Sequence, residues 1–335
     1  MKTKSSPSLP SIFRILVLLS LLTLLSGCRT RSVTSTSKKT AKQVGVTDNQ
    51  RPAWRLEIDE IESGKTYNWP ESMIALPNGD LLVSQILSLD GTGWAYDNNG
   101  YITLLNSDGN VINKRWAVSM PGAELHAPKG MKLVDDRLYV CDNNRIVRYT
   151  LEADGPSTAI EIPIPGAEHL NDMAEADGVL YVSDTTRALV YAINLDTLDI
   201  IRIEAPTKVN GVTVFDGRLF AVSIDDGDVY ELDINGRRPP RSFGLSQYFN
   251  GLNGIEILDD GTLIVSDVRG GAIYAISPDL KNVFELAKLD WPADIGVDRV
   301  NNRLLVPQLK SNQISIYKLI KLVYQPKKKR GFFGL

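Results

Sequence analysis

Glu71, Asn171, Asn210 and Asn253 carry side-chain oxygens of the kind a hard cation takes. Ca²⁺ binds six to eight such donors at roughly 2.3–2.6 Å. Each of the four follows a short lead-in and opens an apolar strand, as in Pro70-Glu71-Ser72-Met73 and Val209-Asn210-Gly211-Val212. One Asn-Gly or Asn-Asp pair is an ordinary turn former. Three at equivalent places, joined by a Glu at the matching place elsewhere, point to one polar centre that they share. The neighbouring residues Asp172 and Asp294 are the candidate proton acceptors. Lys129 occupies the same marker place in a further segment. Its ammonium either pairs with Glu71 or binds a substrate oxygen beside the cation, and in desolvated form it is a candidate base or nucleophile. His126 and His169 fall two or three residues before marker places, so both belong near the same centre, as substrate-binding groups or as loop hydrogen-bond partners.

The elements that position these residues are repeated. Six segments share a lead-in, an apolar strand, an Asp/Asn/Gly turn and a second apolar strand, with markers Glu71, Lys129, Asn171, Asn210, Asn253 and Ala293. The intervals are 58, 42, 39, 43 and 40 residues, the length of a four-stranded propeller blade. The long first interval contains residues 86–100, rich in Gly, Asp and Asn with Trp94 and Tyr96, which reads as a loop able to cover one mouth of the channel. The sixth unit ends after three strands, while Trp54–Ile58 is a strand left over at the start. Unpaired sheet edges are sticky, so the two should pair and close the ring. The expected fold is therefore all-β, a six-bladed β-propeller over residues 52–320 whose N-terminal strand completes the last blade.

On these motifs the sequence resembles the regucalcin and gluconolactonase (SMP-30) family of six-bladed, calcium-dependent propeller hydrolases, over roughly residues 54–318. The resemblance implies a divalent cation, most readily Ca²⁺, held by Glu71, Asn171, Asn210 and the residue at 253. It also implies hydrolysis of a small-molecule lactone or similar ester, with the cation polarising the carbonyl and a bound water. At 253 this chain has Asn where these hydrolases have an Asp that serves as ligand and as base or nucleophile. Asn coordinates but accepts no proton. A non-catalytic propeller, acting as a ligand-binding or envelope scaffold module with a degenerate site, is the alternative.

The ends of the chain carry an address. Basic residues precede the apolar run Ile15–Leu25, the plan of a secretory signal over residues 1–27. The run closes on Leu25-Ser26-Gly27-Cys28, which resembles a bacterial lipobox, so Cys28 is the expected lipidation site and membrane anchor. Arg29 at the next position favours the outer membrane, facing the periplasm. Residues 28–51 read as a flexible tether and 321–335 as a basic tail. The 22 Lys and Arg against 39 Asp and Glu of residues 52–317 give a net charge of −17 within a chain of net −3. So acidic a body argues against nucleic acid as a partner. Two Cys and two His exclude a disulfide framework and a zinc module. Cys141, in an apolar strand, reads as a buried inert thiol. The Val-Ser-Asp runs at 182–184 and 265–267 read as turn caps.

Overall fold

The structure is a computed structural model that describes residues 51–58, 67–87 and 90–323. The signal segment, Cys28, residues 28–50 of the tether and the basic run 327–330 lie outside the described residues. Among the described residues there is no helix, and six four-stranded antiparallel sheets make six blades of a propeller.

Five blades are simple meanders in chain order. Blade one, for instance, runs from an inner strand Pro70–Ala75 through Leu81–Gln85 and Tyr101–Leu105 to an outer strand Val111–Ala117. The sixth takes Gly296–Asp298, Arg303–Gln308 and Gln313–Lys321, and receives Trp54–Ile58 as its outer strand. That strand pairs antiparallel along Gln313–Lys321, with Trp54 opposite Lys321 and Ile58 opposite Tyr317, so the ring is closed as the leftover strand requires. Trp54 Nε1 also donates to Asp260 Oδ2 at 2.9 Å, and Lys321 pairs with the same carboxylate at 3.1 Å, fastening the closing strand to blade five.

The core is six apolar slabs, each filling the gap between two neighbouring blades. Period-two alternation explains this, because a strand in the middle of a blade presents one set of side chains to each neighbour. In the second strand of blade three, Leu180 and Val182 face Tyr139 and Ile146 of blade two, while Tyr181 faces Val212 and Leu219 of blade four. The middle strands therefore read as near-continuous apolar runs, buried on both sides.

Leu138 is fully buried in the slab between blades one and two, against Leu82, Ile102 and Val147. Leu138→Ala is expected to cost about 2–5 kcal/mol through lost burial and the cavity left behind. Urea unfolding should show a lower midpoint at unchanged slope; an unchanged midpoint would contradict the slab packing.

Candidate functional site

Each inner strand of blades one to five breaks its ladder at the marker residue. Pro70 pairs with Gln85 and Met73 with Val83, leaving Glu71 and Ser72 opposite Ser84 alone. The same two-against-one bulge sets Lys129 and Gly130 against Cys141, Asn171 and Asp172 against Ser183, Asn210 and Gly211 against Val222, and Asn253 and Gly254 against Ser266. A bulge re-aims side chains and frees backbone groups. Serine hydroxyls take up those donors: Ser84, Ser183 and Ser266 Oγ accept from the N–H of Ser72, Asp172 and Gly254 at 2.9, 3.0 and 2.8 Å.

The residue after the marker faces the seam between blades. There the inner strands come so close that a Cβ on Gly130 would lie 2.6 Å from Asp172 Cα, and one on Gly211 2.5 Å from Asn253 O. Where a side chain is present it reaches across the seam. Asp172 Oδ2 accepts from Val212 N of blade four at 2.7 Å, while its Oδ1 accepts from Met173 N at 2.7 Å. Asp294 Oδ2 accepts from Ser72 Oγ of blade one at 2.7 Å. Both candidate proton acceptors thus fasten one blade to the next.

The marker residues do something else. Glu71, Asn171, Asn210 and Asn253 are 1–6 % exposed, and Glu71 Oε2 and the three Asn Oδ1 atoms are buried with no hydrogen-bond partner among the described residues. Buried polar atoms in native proteins rarely lack partners. Ten buried side-chain atoms are in this state among the described residues, and four of them are the oxygens that the sequence assigns to a cation, standing at equivalent bulges on inner strands in contact with their neighbours. Three amide oxygens and one carboxylate are a hard-cation donor set. No group of three or more His, Cys, Asp or Glu is placed to hold a metal among the described residues, so a cation here would depend on the amides. Ala293, the sixth marker, offers no side-chain oxygen.

Burial dominates the electrostatics of this cup. It pushes the Glu71 carboxyl up to about 8, opposed by the Lys129 charge and reinforced by Asp172. It raises Asp172 to about 7 against the pull of its two backbone N–H donors, and raises Asp294 well above the carboxylate range. Burial lowers Lys129 to about 8, opposed by Glu71.

Lys129 is buried rather than solvated, and its Nζ donates to Gly93 O at 2.8 Å and Ala127 O at 3.0 Å beneath the Trp94 ring. Both histidines hold loops. His126 Nδ1 accepts from Asn98 N at 3.1 Å, and His169 Nδ1 lies 2.6 Å from Thr186 Oγ1 with its ring stacked on Trp94. The residues that end the second strands anchor the lead-ins. Asp142 accepts from His126 N and Ala127 N, Asp184 from Glu168 N and His169 N, and Asp267 from Asn250 N and Gly251 N. The Val-Ser-Asp repeat was the signal for two of these. Cys141 is fully buried, and burial raises its thiol well above the usual range.

Solved structures with this arrangement set the molecule among known folds. It is a six-bladed propeller. A catalytically inactive virginiamycin B lyase from Staphylococcus aureus, solved with quinupristin, aligns with a TM-score of 0.56 at 16% identity, over 80% of this chain and 100% of that one. A candidate gluconolactonase aligns with a TM-score of 0.58 at 15% identity, over 80% and 93% of the two chains. A protein of unknown function from Bacteroides thetaiotaomicron aligns with a TM-score of 0.59 at 14% identity, over 76% and 70%. No protein-family model and no curated protein matches the sequence. At these identities the likeness establishes the propeller fold.

The raised carboxyls predict a pH dependence in the cation-free protein. Glu71 and Asp172 bind protons more tightly when folded, so their contribution is full below about pH 4 and is lost as pH rises through about 7 and 8. The melting temperature in chelator should therefore fall between pH 5 and pH 8. A chelated protein whose melting temperature rises across that interval would contradict the burial of these groups.

Proposed function

We propose that the chain is a gluconolactonase-like propeller anchored at the bacterial cell envelope, in which a divalent cation, Ca²⁺ before others, serves hydrolysis of a lactone or similar ester. Glu71, Asn171, Asn210 and Asn253 would hold the cation. The observation that carries the reading is the set of four buried, unpartnered oxygens at equivalent bulges. Ca²⁺ suits them because it accepts neutral amide oxygens in irregular geometry, whereas Mg²⁺ demands a strict octahedron and keeps its waters. When bound, such a cation polarises a substrate carbonyl and acidifies a coordinated water. Within the chain, Glu71 supplies the only negative charge among the four donors. Of the two candidate proton acceptors, Asp172 lies beside Asn171 and is raised by burial to about 7, and it would act as a base only by releasing the Val212 and Met173 N–H groups that hold its two oxygens. Burial raises Asp294 as well, and its Oδ2 accepts from Ser72 Oγ across the seam, where it fastens blade six to blade one. Cys28 as a lipid-bearing residue would hold the propeller at the outer membrane, facing the periplasm.

One observation favours a second reading, a non-catalytic ligand-binding or scaffold propeller. Asp172 and Asp294 are both engaged across seams, and Asn253 brings no carboxylate. Calorimetric titration with Ca²⁺ followed by a panel of lactones separates the two. Calcium binding lost in Glu71→Gln, together with turnover, supports the hydrolase. Binding without turnover supports the second reading, and a protein that takes up no calcium sinks the cation site in both. Asn253→Asp restores a charged ligand and is expected to tighten calcium binding by about tenfold.

A further inference from the structure

Residues 93–98, part of the long blade-one loop, lie against the lead-ins of blades one, two and three. A Cβ on Gly93 would sit 3.8 Å from the Trp69 ring of blade one. In blade two, Asn143 Nδ2 donates to Ala95 O at 3.1 Å, His126 Nδ1 accepts from Asn98 N, and Tyr96 meets the His126 ring edge-on at 5.1 Å. The Trp94 indole stacks on His169 of blade three with centroids 4.1 Å apart, and Lys129 Nζ lies 3.5 Å from the centroid of the Trp94 ring.

Every donor of the Lys129 ammonium is accounted for there. It has three N–H groups, and it finds two carbonyls, Gly93 O and Ala127 O, and one π face. Glu71 Oε2, by contrast, has no hydrogen-bond partner among the described residues, although Lys129 stands at the matching bulge of the adjoining inner strand. A long flexible ammonium beside an unpartnered buried carboxylate would ordinarily close into an ion pair. Here the loop holds it back.

The geometry points to Lys129 as a positioning residue: its ammonium clamps residues 93–98 over the cup, and Gly93 O and the Trp94 ring in turn keep that ammonium off the Glu71 carboxylate. The clamp stands on contacts alone. Its consequence for a cation rests on the reading of the cup proposed above. With the loop docked, Glu71 stays available to a cation; with the loop undone, Lys129 becomes the competitor for the same carboxylate.

This arrangement predicts effects of opposite sign on calcium. Trp94→Ala frees Lys129 to pair with Glu71 and should weaken calcium binding, whereas Lys129→Met removes the competitor and should strengthen it, each by about tenfold. The double variant should follow Lys129→Met. Both single variants should speed amide hydrogen exchange in residues 93–98 by on the order of tenfold or more, because each removes the clamp. Lys310→Met, which breaks the Lys310 contact with the Trp291 ring elsewhere on the propeller, should do neither. Unchanged exchange in residues 93–98 in Lys129→Met overturns the clamp, and calcium shifts of the same sign in the two single variants overturn the shielding of Glu71. If the wild-type protein binds no calcium, the cation reading fails, and the exchange measurement still decides the clamp.

Discussion

Six inner strands crowd one axis, and everything at the site follows from how little room that leaves. The backbones approach until no Cβ fits at Gly130 or Gly211, and the ladders give way at the marker residues. Each break divides two adjacent side chains between two tasks: the first is buried at the axis and the second faces the seam. At four of the bulges the first side chain carries an oxygen that finds no hydrogen-bond partner among the described residues. A buried unsatisfied polar group costs about 1–3 kcal/mol. Four such groups at equivalent bulges are what the proposed cation would satisfy.

The seams show the contrasting use of the same residue types. Asp172 and Asp294 are as buried as the cup residues, yet their carboxylates accept hydrogen bonds from the neighbouring blade and lock the ring together. The lead-ins are fixed by another set of carboxylates, Asp142, Asp184 and Asp267, each accepting from backbone N–H groups. Acidic side chains thus do structural work around the axis, while among the described residues Glu71 keeps a buried oxygen without a hydrogen-bond partner. Lys129, the one cationic marker, is drawn away from it into the loop above.

The repeat and its closure were legible because they rest on period and length. Strands buried on both sides read as apolar runs, and a sixth unit one strand short demands the strand left over at Trp54–Ile58. The equivalence of the marker residues was legible for the same reason, since the repeat places each of those in blades one to five at the same bulge of its inner strand. The sequence does not carry which of two adjacent residues a bulge sends inward, so Asp172 and Asp294 read as catalytic candidates although their side chains reach across seams. Nor does it carry where a loop docks. For His126 and His169 the sequence leaves open a substrate group or a loop partner, and for marker Lys129 a Glu71 pair or a substrate oxygen, while the structure gives all three contacts with loop segments, two of them through Trp94.

Occupancy of the axis by a cation can be read from an anomalous difference map of crystals grown with a calcium-like lanthanide. The account predicts one strong peak on the propeller axis, within roughly 2.3–2.6 Å of Glu71 Oε2 and of the Oδ1 atoms of Asn171, Asn210 and Asn253. A map in which water alone satisfies those four oxygens, with the lanthanide bound only on the acidic exterior, would contradict it.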